Sequence, residues 1–364
     1  MSLMNALTGA ASLRDHFDRT ILALWRGPGF NAALRLAHEA LDASGTTPLP
    51  DVRYRAMACA RQLFVFSQAG EAAHAHTLYA SLCRTFADRT HGGWFYSVDA
   101  QGAPLDTTKD LYTHAFVVFA CAAYGQRLGV PEALDTARET SALIVDRFKA
   151  GDGLLNATLD ASFASVTGGP LQNPLMHLTE AWLAAREATG DAAFDAAITT
   201  LAEAVARNFL HAPTGCIAEL PLGAQDNRLE PGHQFEWFWL VRQAGAQRLG
   251  ASGLQEALAR AFAFAVKHGV DPATGAVAAS LDERGRVIDA TQRIWAQTEY
   301  LRALATHGDT VVRATLDAQT GKFAQRFLTP QGWVECRSAA GEVARADMPS
   351  TTPYHLLTAY RALP

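Results

Sequence analysis

Residues 92–123 read GGWFYSVDAQGAPLDTTKDLYTHAFVVFACAA. After two glycines come two short alternating segments, separated by a turn that contains Asp and Gly. A polar loop follows, and then a segment that is apolar on every side. Alternation predicts a β-hairpin, whereas a segment that is apolar all round predicts a buried helix. The stretch therefore predicts a hairpin followed by a buried helix.

The same pattern recurs along the chain. Comparable stretches begin at Gly153, Gly215, Gly275 and Gly332, and counted from Gly93 the starts are 60, 62, 60 and 57 residues apart. A constant period of this length indicates one supersecondary unit that is repeated. Between the units, residues 131–149, 191–209 and 252–268 have a single apolar stripe, which predicts helices that face solvent.

Four further helices are predicted before the first unit, at residues 12–26, 30–43, 51–69 and 71–89. With them the chain contains about six helix pairs, each with one apolar and one amphipathic member. We expect an all-α fold, an (α/α)6 barrel with short β-hairpins in the loops at one end, formed by residues 1–364 as a single catalytic domain. A linear solenoid is the alternative, but only a closed ring would bring the last unit beside the first.

Composition narrows the functional classes. The 364 residues are 49% hydrophobic with a formal net charge of −5, which predicts a large core and no basic surface for nucleic acid. The sequence contains no run of 18 apolar residues, so no membrane span is predicted. The five cysteines have no metal-finger spacing, and the N-terminal residues do not resemble a secretory signal, so we expect reduced thiols and a cytoplasmic location.

Polar residues recur near the predicted starts of the inner helices. In LEPGHQFEWFWLVRQAG, residues 229–245, His233 and Glu236 are three apart and so share one helix face. His177 and Glu180 have the same spacing, and Glu299 and His355 occupy similar positions. Because all inner helices run in the same direction, these side chains should converge at one end of the barrel. Candidate aromatic residues for the same cavity are Trp94, Tyr112, Trp237, Trp295 and Tyr354.

A histidine beside a carboxylate can transfer protons, although a lone histidine more often packs or caps a helix. No metal is expected, since the carboxylate-bridged bundles place Glu before His. Neither a GxSxG nucleophile motif nor a phosphate-binding glycine loop is present. Paired carboxylates for glycoside hydrolysis remain an alternative, with candidates Asp106, Asp110, Glu180, Glu236 and Glu299.

Five segments resemble the N-acylglucosamine 2-epimerase superfamily, which includes mannose isomerases, cellobiose 2-epimerases and sulfoquinovose isomerases. The resemblance spans residues 60 to 360 and rests on GGWFYSVDAQGAPLDTTKDLYTHAF, NPLMHLTEAW, EPGHQFEW, RIWAQTE and STTPYHLLTAYR, in that order. It implies an (α/α)6 barrel that transfers a proton at C2 of a reducing sugar without a cofactor.

The resemblance also implies roles for individual residues. His233 in PGHQFEW and His355 in PYH would flank the opened sugar as catalytic residues. His177 in NPLMHL would assist ring opening or hold a hydroxyl group, with Asn173 beside it. Arg61 in ARQLF would polarise the carbonyl or hold the enediolate oxygen. The remaining expected substrate contacts are Tyr112, Glu236, Trp295 and Glu299.

GHQFEW and STTPYHL are closer to the mannose isomerase branch than to the cellobiose 2-epimerases. The expected function is therefore interconversion of D-mannose and D-fructose through a cis-enediolate, with D-lyxose and D-xylulose as a slower pair. The alternatives are 2-epimerisation of mannose, cellobiose or N-acylglucosamine, an (α/α)6 glycoside hydrolase, and a sugar-binding barrel without activity. The expected partner is a monosaccharide, and the expected assembly a monomer or homodimer.

Overall fold

The computed structural model describes residues 9–50 and 52–364. Its helices are α1 (Ala10–His16), α2 (Leu22–Arg26), α3 (Ala56–Gln68), α4 (Ala72–Ser81), α5 (Leu111–Leu128), α6 (Pro131–Arg147), α7 (Gln172–Thr189), α8 (Ala193–Phe209), α9 (Pro231–Ala244), α10 (Ala246–Leu249), α11 (Leu254–Gly269), α12 (Ile294–Thr306), α13 (Thr310–Arg313), α14 (Leu316–Phe327) and α15 (Thr352–Ala362). Single π-helical turns, Phe17–Ile21 and Leu82–Phe86, extend α1 and α4, and Gly151–Gly153 is a 3-10 turn.

The strands have two or three residues each. They are β1 (Phe30–Asn31), β2 (Leu36–Ala37), β3 (Ala40–Leu41), β4 (Tyr54–Arg55), β5 (Ser97–Val98), β6 (Pro104–Asp106), β7 (Lys109–Asp110), β8 (Thr158–Leu159), β9 (Val166–Gly168), β10 (Leu210–His211), β11 (Cys216–Ile217), β12 (Ser280–Leu281), β13 (Val287–Asp289), β14 (Gln292–Arg293), β15 (Leu328–Thr329), β16 (Gly332–Trp333), β17 (Cys336–Arg337), β18 (Val343–Arg345) and β19 (Met348–Pro349).

Six helices form the inner ring. In order they are α3, α5, α7, α9, α12 and α15, and each packs against the next. The last of them, α15, packs against the first, so the ring is closed. The outer helices α4, α6, α8, α11 and α14 pack on the inner helices, and α1 packs on α15. The predicted (α/α)6 barrel with short hairpins is confirmed, and closure rules out the linear solenoid.

Strand pairing closes the ring at the level of the loops as well. In an antiparallel pair, β19 of the last unit lies beside β3 of the first, with Met348 opposite Leu41 and Pro349 opposite Ala40. Elsewhere the short strand before an inner helix pairs with the hairpin of the next unit, as β4 does with β5–β6, β7 with β8–β9, and β14 with β17–β18. The hairpins therefore surround one end of the barrel.

The helix predicted at residues 30–43 is wrong, because this segment forms β1, a turn, β2 and β3. The side-chain oxygen of Asn31 accepts hydrogen bonds from the backbone N–H groups of Ala33 and Leu34, a local arrangement that competes with a helix. The turn matches the one that opens the other units, where a glycine has positive φ. Arg35, with φ 60°, occupies that position, two residues before Ala37, as Gly215 precedes Ile217. Because this unit lacks the glycine, the sequence pattern does not reveal the start of the first unit of the barrel.

Other sequence predictions have simpler outcomes. The helices at 12–26, 71–89, 131–149, 191–209 and 252–268 are present with boundaries shifted by a few residues, and that at 51–69 begins at Ala56. Asp51 and residues 1–8 lie outside the described residues. The prediction that the chain begins without a secretory signal rests partly on residues 1–8. All five cysteines are free. In the part of the chain that the structure describes, no helix is long and apolar enough to cross a membrane.

A buried glutamine ties each of two hairpins to its inner helix. The side chain of Gln297 accepts from Val277 N at 2.9 Å and donates to Val277 O at 3.0 Å. Gln234 makes the equivalent pair of bonds with Ile217, and both glutamines also donate to the carbonyl four residues earlier. These amides pair with backbone groups of the short hairpin segments, which form few hydrogen bonds between strands.

We expect Gln297→Ala to lower the free energy of unfolding by at least about 2 kcal/mol, because it leaves both buried backbone groups of Val277 without a partner. Urea or guanidinium titration followed by circular dichroism measures the change. The matched control is Gln126→Ala at an exposed position of α5, which should change stability by less than about 0.5 kcal/mol. Equal stability of the two variants would contradict the proposed role.

Candidate active site

The N-terminal ends of the inner helices surround one cavity of about 290 Å³, near the lower end of the usual size of small-molecule pockets. Every inner helix, or the residue just before it, contributes to its walls. The residues that line it are Arg61, Tyr112, Asn173, His177, Glu219, Arg228, Glu230, His233, Glu236, Arg293, Trp295 and His355. The lining is strongly polar, although the surrounding core is apolar.

A common register explains which residues lie deep in the barrel. Five inner helices carry, five residues after their first residue, the side chains Arg61, Phe116, His177, Glu236 and Glu299. At 1.5 Å per residue this layer lies about 7.5 Å below the helix starts. All five side chains are nearly inaccessible to solvent. The barrel thus holds ionisable groups at a depth where neutralising partners are required.

His233 is held by a carboxylate that lies on the hairpin before its helix. Its Nδ1 is 2.7 Å from Glu219 Oε1, and the amide of Gln172 contacts both residues. Since a carboxylate only accepts, we assign the proton to Nδ1, which leaves Nε2 for the other side of the ring. Burial disfavours the charged ring, but the charge and hydrogen bond of Glu219, with the charge of Glu230, outweigh burial and raise the pKa of His233.

His355 is also held by a carboxylate, but its surroundings lower its pKa, whereas those of His233 raise the pKa of that ring. Its Nδ1 lies 2.8 Å from Glu299 Oε1, which is itself paired with Arg302. Burial, together with the positive charge of Arg61, lowers the pKa of His355 well below its ordinary value. His355 is therefore a neutral imidazole at neutral pH, with Nδ1–H donated to Glu299. The surroundings of the two histidines therefore shift their pKa values in opposite directions.

His177 and Glu236 lie next to each other deep in the cavity. His177 Nδ1 is 3.7 Å from Glu236 Oε1 and 3.5 Å from Glu180 Oε2. Burial lowers the pKa of His177 to about 4, whereas burial and the charges of Glu299 and Glu180 raise the pKa of Glu236 well above its ordinary value. The site therefore favours the protonated form of Glu236, which can donate a hydrogen bond.

Several buried polar atoms of this cavity have no hydrogen-bond partner among the described residues. They are Arg61 Nε, Asn173 Oδ1, His177 Nδ1 and both carboxyl oxygens of Glu236. Buried polar groups are almost always paired in folded proteins. A cluster of free donors and acceptors in a small polar cavity is the pattern expected for binding a compound with several hydroxyl groups.

Arg61 is held by residues of the next unit along the chain and of the last unit. Its Nη2 donates to Tyr112 Oη at 2.6 Å and its Nη1 to the carbonyl of Thr351 at 3.3 Å. The guanidinium also lies over the ring of Phe116, 4.2 Å from the ring centroid. Held on three sides, Arg61 offers a positive charge whose position does not change when a negative charge develops beside it.

The structure brings eight of the nine predicted site residues into one cavity lining, with Glu299 as the exception. Glu299 is wholly buried behind His355, so the expected substrate contact is corrected to orientation of that imidazole. Trp295 lies against both His233 and His355, at ring-centroid distances of 4.9 and 5.9 Å. The other predicted aromatics, Trp94, Trp237 and Tyr354, donate instead to Thr140, Gln172 and Glu180 outside the lining.

The family model of N-acylglucosamine 2-epimerase matches residues 37–359 of the chain. The chain belongs to this family. The mannose-6-phosphate isomerase of Rhizobium meliloti (strain 1021) is 31% identical over 394 residues, covering 96% of this chain and 95% of that protein.

Two solved structures show the same fold. A D-mannose isomerase superimposes with a TM-score of 0.85 at 18% identity, over 98% of each chain. The cellobiose 2-epimerase from Bacillus thermoamylovorans B4167 gives 0.85 at 17% identity, over 96% of this chain and 97% of that one. The predicted family is confirmed. This N-acylglucosamine 2-epimerase family member is an enzyme, a sugar isomerase or epimerase.

Sequence reasoning missed several residues of this family member's site. Glu219 is the most informative, because it is a lone carboxylate in the otherwise apolar segment GCIAELPL, a signal that could have been followed. Gln172 and Arg302 are buried polar residues on inner helices, and their partners lie on other units. The histidine of α5, His114, accepts from Trp94 N and contacts the carbonyl of Asp110, outside the cavity.

Three groups of this site could supply the ligands of a metal ion. They are His177 with Glu180 and Glu236, Glu219 with Glu230 and His233, and Glu236 with Glu299 and His355. In the last two groups the histidine Nδ1 is already hydrogen-bonded to a carboxylate of the group. A metal bound there would replace the bond that orients the imidazole.

We expect Glu219→Gln to lower the pKa of His233 by about one to three pH units, because it removes the negative charge that stabilises the imidazolium. Titration of the ring nitrogen shifts by NMR measures this directly and requires no assumption about function. Glu283→Gln, which changes an exposed carboxylate beside His211, is the matched control and should leave His233 unchanged. An unaltered His233 pKa in Glu219→Gln would show that Glu219 does not set its charge.

Proposed function

We propose that the protein is an aldose–ketose isomerase that interconverts D-mannose and D-fructose, with D-lyxose and D-xylulose as a slower pair. The observation that carries the proposal is the pair His355 and His233, one neutral and one with a raised pKa, in the lining of a single polar cavity. Its occupant would be one monosaccharide, and the steps below use only side chains of this chain. The Rhizobium relative is named for mannose 6-phosphate, which has the same C1–C2 chemistry as mannose.

In the proposed reaction His355 Nε2 is the base. The neutral ring removes the proton from C2 of the open-chain aldose, and the C2 electrons form the C1–C2 double bond while O1 becomes negative. Arg61, in its fixed position, stabilises that charge, and protonated Glu236 is a second donor. Fixed donors in a buried site stabilise a developing oxyanion strongly, since no reorganisation is needed when the charge forms.

The second half of the proposed reaction returns the proton to the sugar, at C1. The His355 imidazolium delivers it to C1, the O2 proton is lost as C2=O forms, and O1 gains a proton. The net O2-to-O1 transfer needs a group that can give and accept a proton near neutral pH, which fits His233 because Glu219 raises its pKa. His177 would assist ring opening or hold a hydroxyl group, with Asn173 beside it. Monomer or homodimer remains the proposed assembly.

The alternative within the family is 2-epimerisation. If His233 instead protonated C2 from the opposite face, the intermediate would give the C2 epimer. We favour isomerisation because GHQFEW and STTPYHL resemble the mannose isomerase branch. The hydrolase alternative has less support, since Asp110 accepts from Thr113 as the N-cap of α5 and does not line the cavity.

We expect incubation of the purified enzyme with D-mannose to yield D-fructose, separated and quantified by chromatography. If His355 keeps the proton from C2 and returns it to C1, fructose formed in heavy water should contain less than one deuterium at C1 per turnover, because His355 is shielded from solvent. Glucose as the first product would instead support 2-epimerisation, and reducing sugar released from an oligosaccharide would support the hydrolase.

Replacement of either histidine should lower kcat by at least ~100-fold, the low end for a positioned acid or base. Asn is the preferred replacement for His355 and His233, because its amide keeps a donor near the position of Nδ1 and so preserves the fold. His177→Asn should be less harmful with substrates that need no ring opening. Steady-state kinetics and melting temperatures of the variants provide the measurement.

The control for these variants is His91→Asn, at a half-exposed histidine outside the cavity, which should retain wild-type kcat. If His355→Asn keeps more than about a tenth of kcat while remaining folded, the assignment of the base is wrong. Glu236 then becomes the better candidate, since its carboxyl group lies in the same cavity without a hydrogen-bond partner.

A further inference from the structure

Two arginines lie at the rim of the catalytic cavity and have no part in the proposed proton transfers. Arg293 immediately precedes α12, and Arg228 lies three residues before α9. Both belong to the cavity lining. Arg61, by contrast, is 5% exposed and lies deep in the barrel, whereas the side chain of Arg228 is 43% exposed. The rim therefore has its own positive charges, separate from the one that faces the reacting carbons.

The two rim arginines differ in how far their charges are neutralised. Arg228 Nη2 is 3.1 Å from Glu230 Oε1, and Nε donates to the same oxygen. The guanidinium of Arg293 has neither a hydrogen bond nor an ion pair with any of residues 9–50 and 52–364, although the side chain is only partly exposed. A half-buried guanidinium with all of its donors free is suited to bind an anion.

The depth of the catalytic groups determines which end of the sugar meets this rim. In the proposed reaction C1 and C2 contact His355 and Arg61, which are both nearly inaccessible to solvent. A hexose placed in this way extends its opposite end, with C6, towards the mouth. The mouth is where Arg293 and Arg228 lie, at the N-terminal ends of α12 and α9, whose helix dipoles also favour negative charge.

We propose that Arg293 and Arg228 form a subsite for a phosphate group on C6, so that the preferred substrate is a hexose 6-phosphate. The inference rests on the proposed isomerase function and adds to it the substrate class. A guanidinium can donate two parallel hydrogen bonds to a phosphate, and such charge-assisted pairs are among the strong interactions of proteins. A free hydroxymethyl group would offer Arg293 at most one neutral acceptor.

The first experiment compares kcat/KM for D-mannose and D-mannose 6-phosphate with the intact enzyme. We expect the phosphorylated sugar to be preferred by at least about 100-fold, since the phosphate gains charge-assisted hydrogen bonds that a hydroxymethyl group cannot make. The preference should decrease as salt concentration rises, because ions screen the partly exposed pair. Equal values, or a preference for D-mannose, would overturn the subsite while leaving the isomerase proposal intact.

The second experiment assigns the preference to these residues. Arg293→Gln should reduce the ratio of the two kcat/KM values by about 10- to 100-fold, and Arg228→Gln by less, because Arg228 is already paired with Glu230. The matched control is Arg286→Gln, an arginine whose side chain is 77% exposed and paired with Asp282 outside the cavity. It should leave the ratio unchanged. If Arg293→Gln lowers both kcat/KM values equally, Arg293 supports the site as a whole and is not a phosphate ligand.

A binding measurement separates the subsite from catalysis. In the His355→Asn variant, calorimetric titration should give a lower Kd for D-mannose 6-phosphate than for D-mannose, and the difference should shrink when Arg293→Gln is added. This result would support the subsite even if neither sugar were turned over by the wild-type enzyme. Equal Kd values for the two sugars would overturn the subsite.

Discussion

The inner helices all point their N-termini at the same end of the barrel, and the rest of the site depends on this constraint. Because their orientation is shared, residues a fixed distance from each helix start meet at one depth. Arg61, His177, Glu236 and Glu299 come from four different units and still form one layer. The N-terminal ends of the helices also place the positive ends of their dipoles at the mouth. Negative charge is therefore favoured at this end of the barrel.

Burying this many ionisable groups is costly unless they neutralise one another. The deep end achieves this with Arg302, which donates to both Glu180 and Glu299, while its guanidinium lies 3.4 Å from the ring centroid of Trp239. Each of these carboxylates then contacts a histidine, Glu180 near His177 and Glu299 at His355. The protonation states of the imidazoles are therefore set by a network that reaches well below the cavity.

Much of this could be predicted from the sequence. The 60-residue period predicts the barrel, and eight of the nine predicted site residues line the cavity, because both are recorded in local sequence patterns. The first unit was missed because Arg35 takes the left-handed position that glycine marks elsewhere. Glu299 was assigned to substrate because its register matches that of Glu236, and sequence does not reveal that His355 stands between it and the cavity. Gln172 meets Glu219 and His233 only through packing between two units, which no single segment contains. Glu219 lies in the same unit as His233, but only the fold shows that the two side chains are in contact.

Ring closure also governs the order in which the site can form during synthesis. Arg61 is bonded to Thr351, and β3 to β19, so the first unit gains these contacts only when the last one has been made. Contacts between such distant parts of the chain form late, since a long loop must close before they can stabilise anything. A nascent chain that lacks α15 would expose the core face of α3 and possess neither His355 nor a fixed Arg61. The chain therefore gains His355, the proposed base, in the same step that completes the barrel.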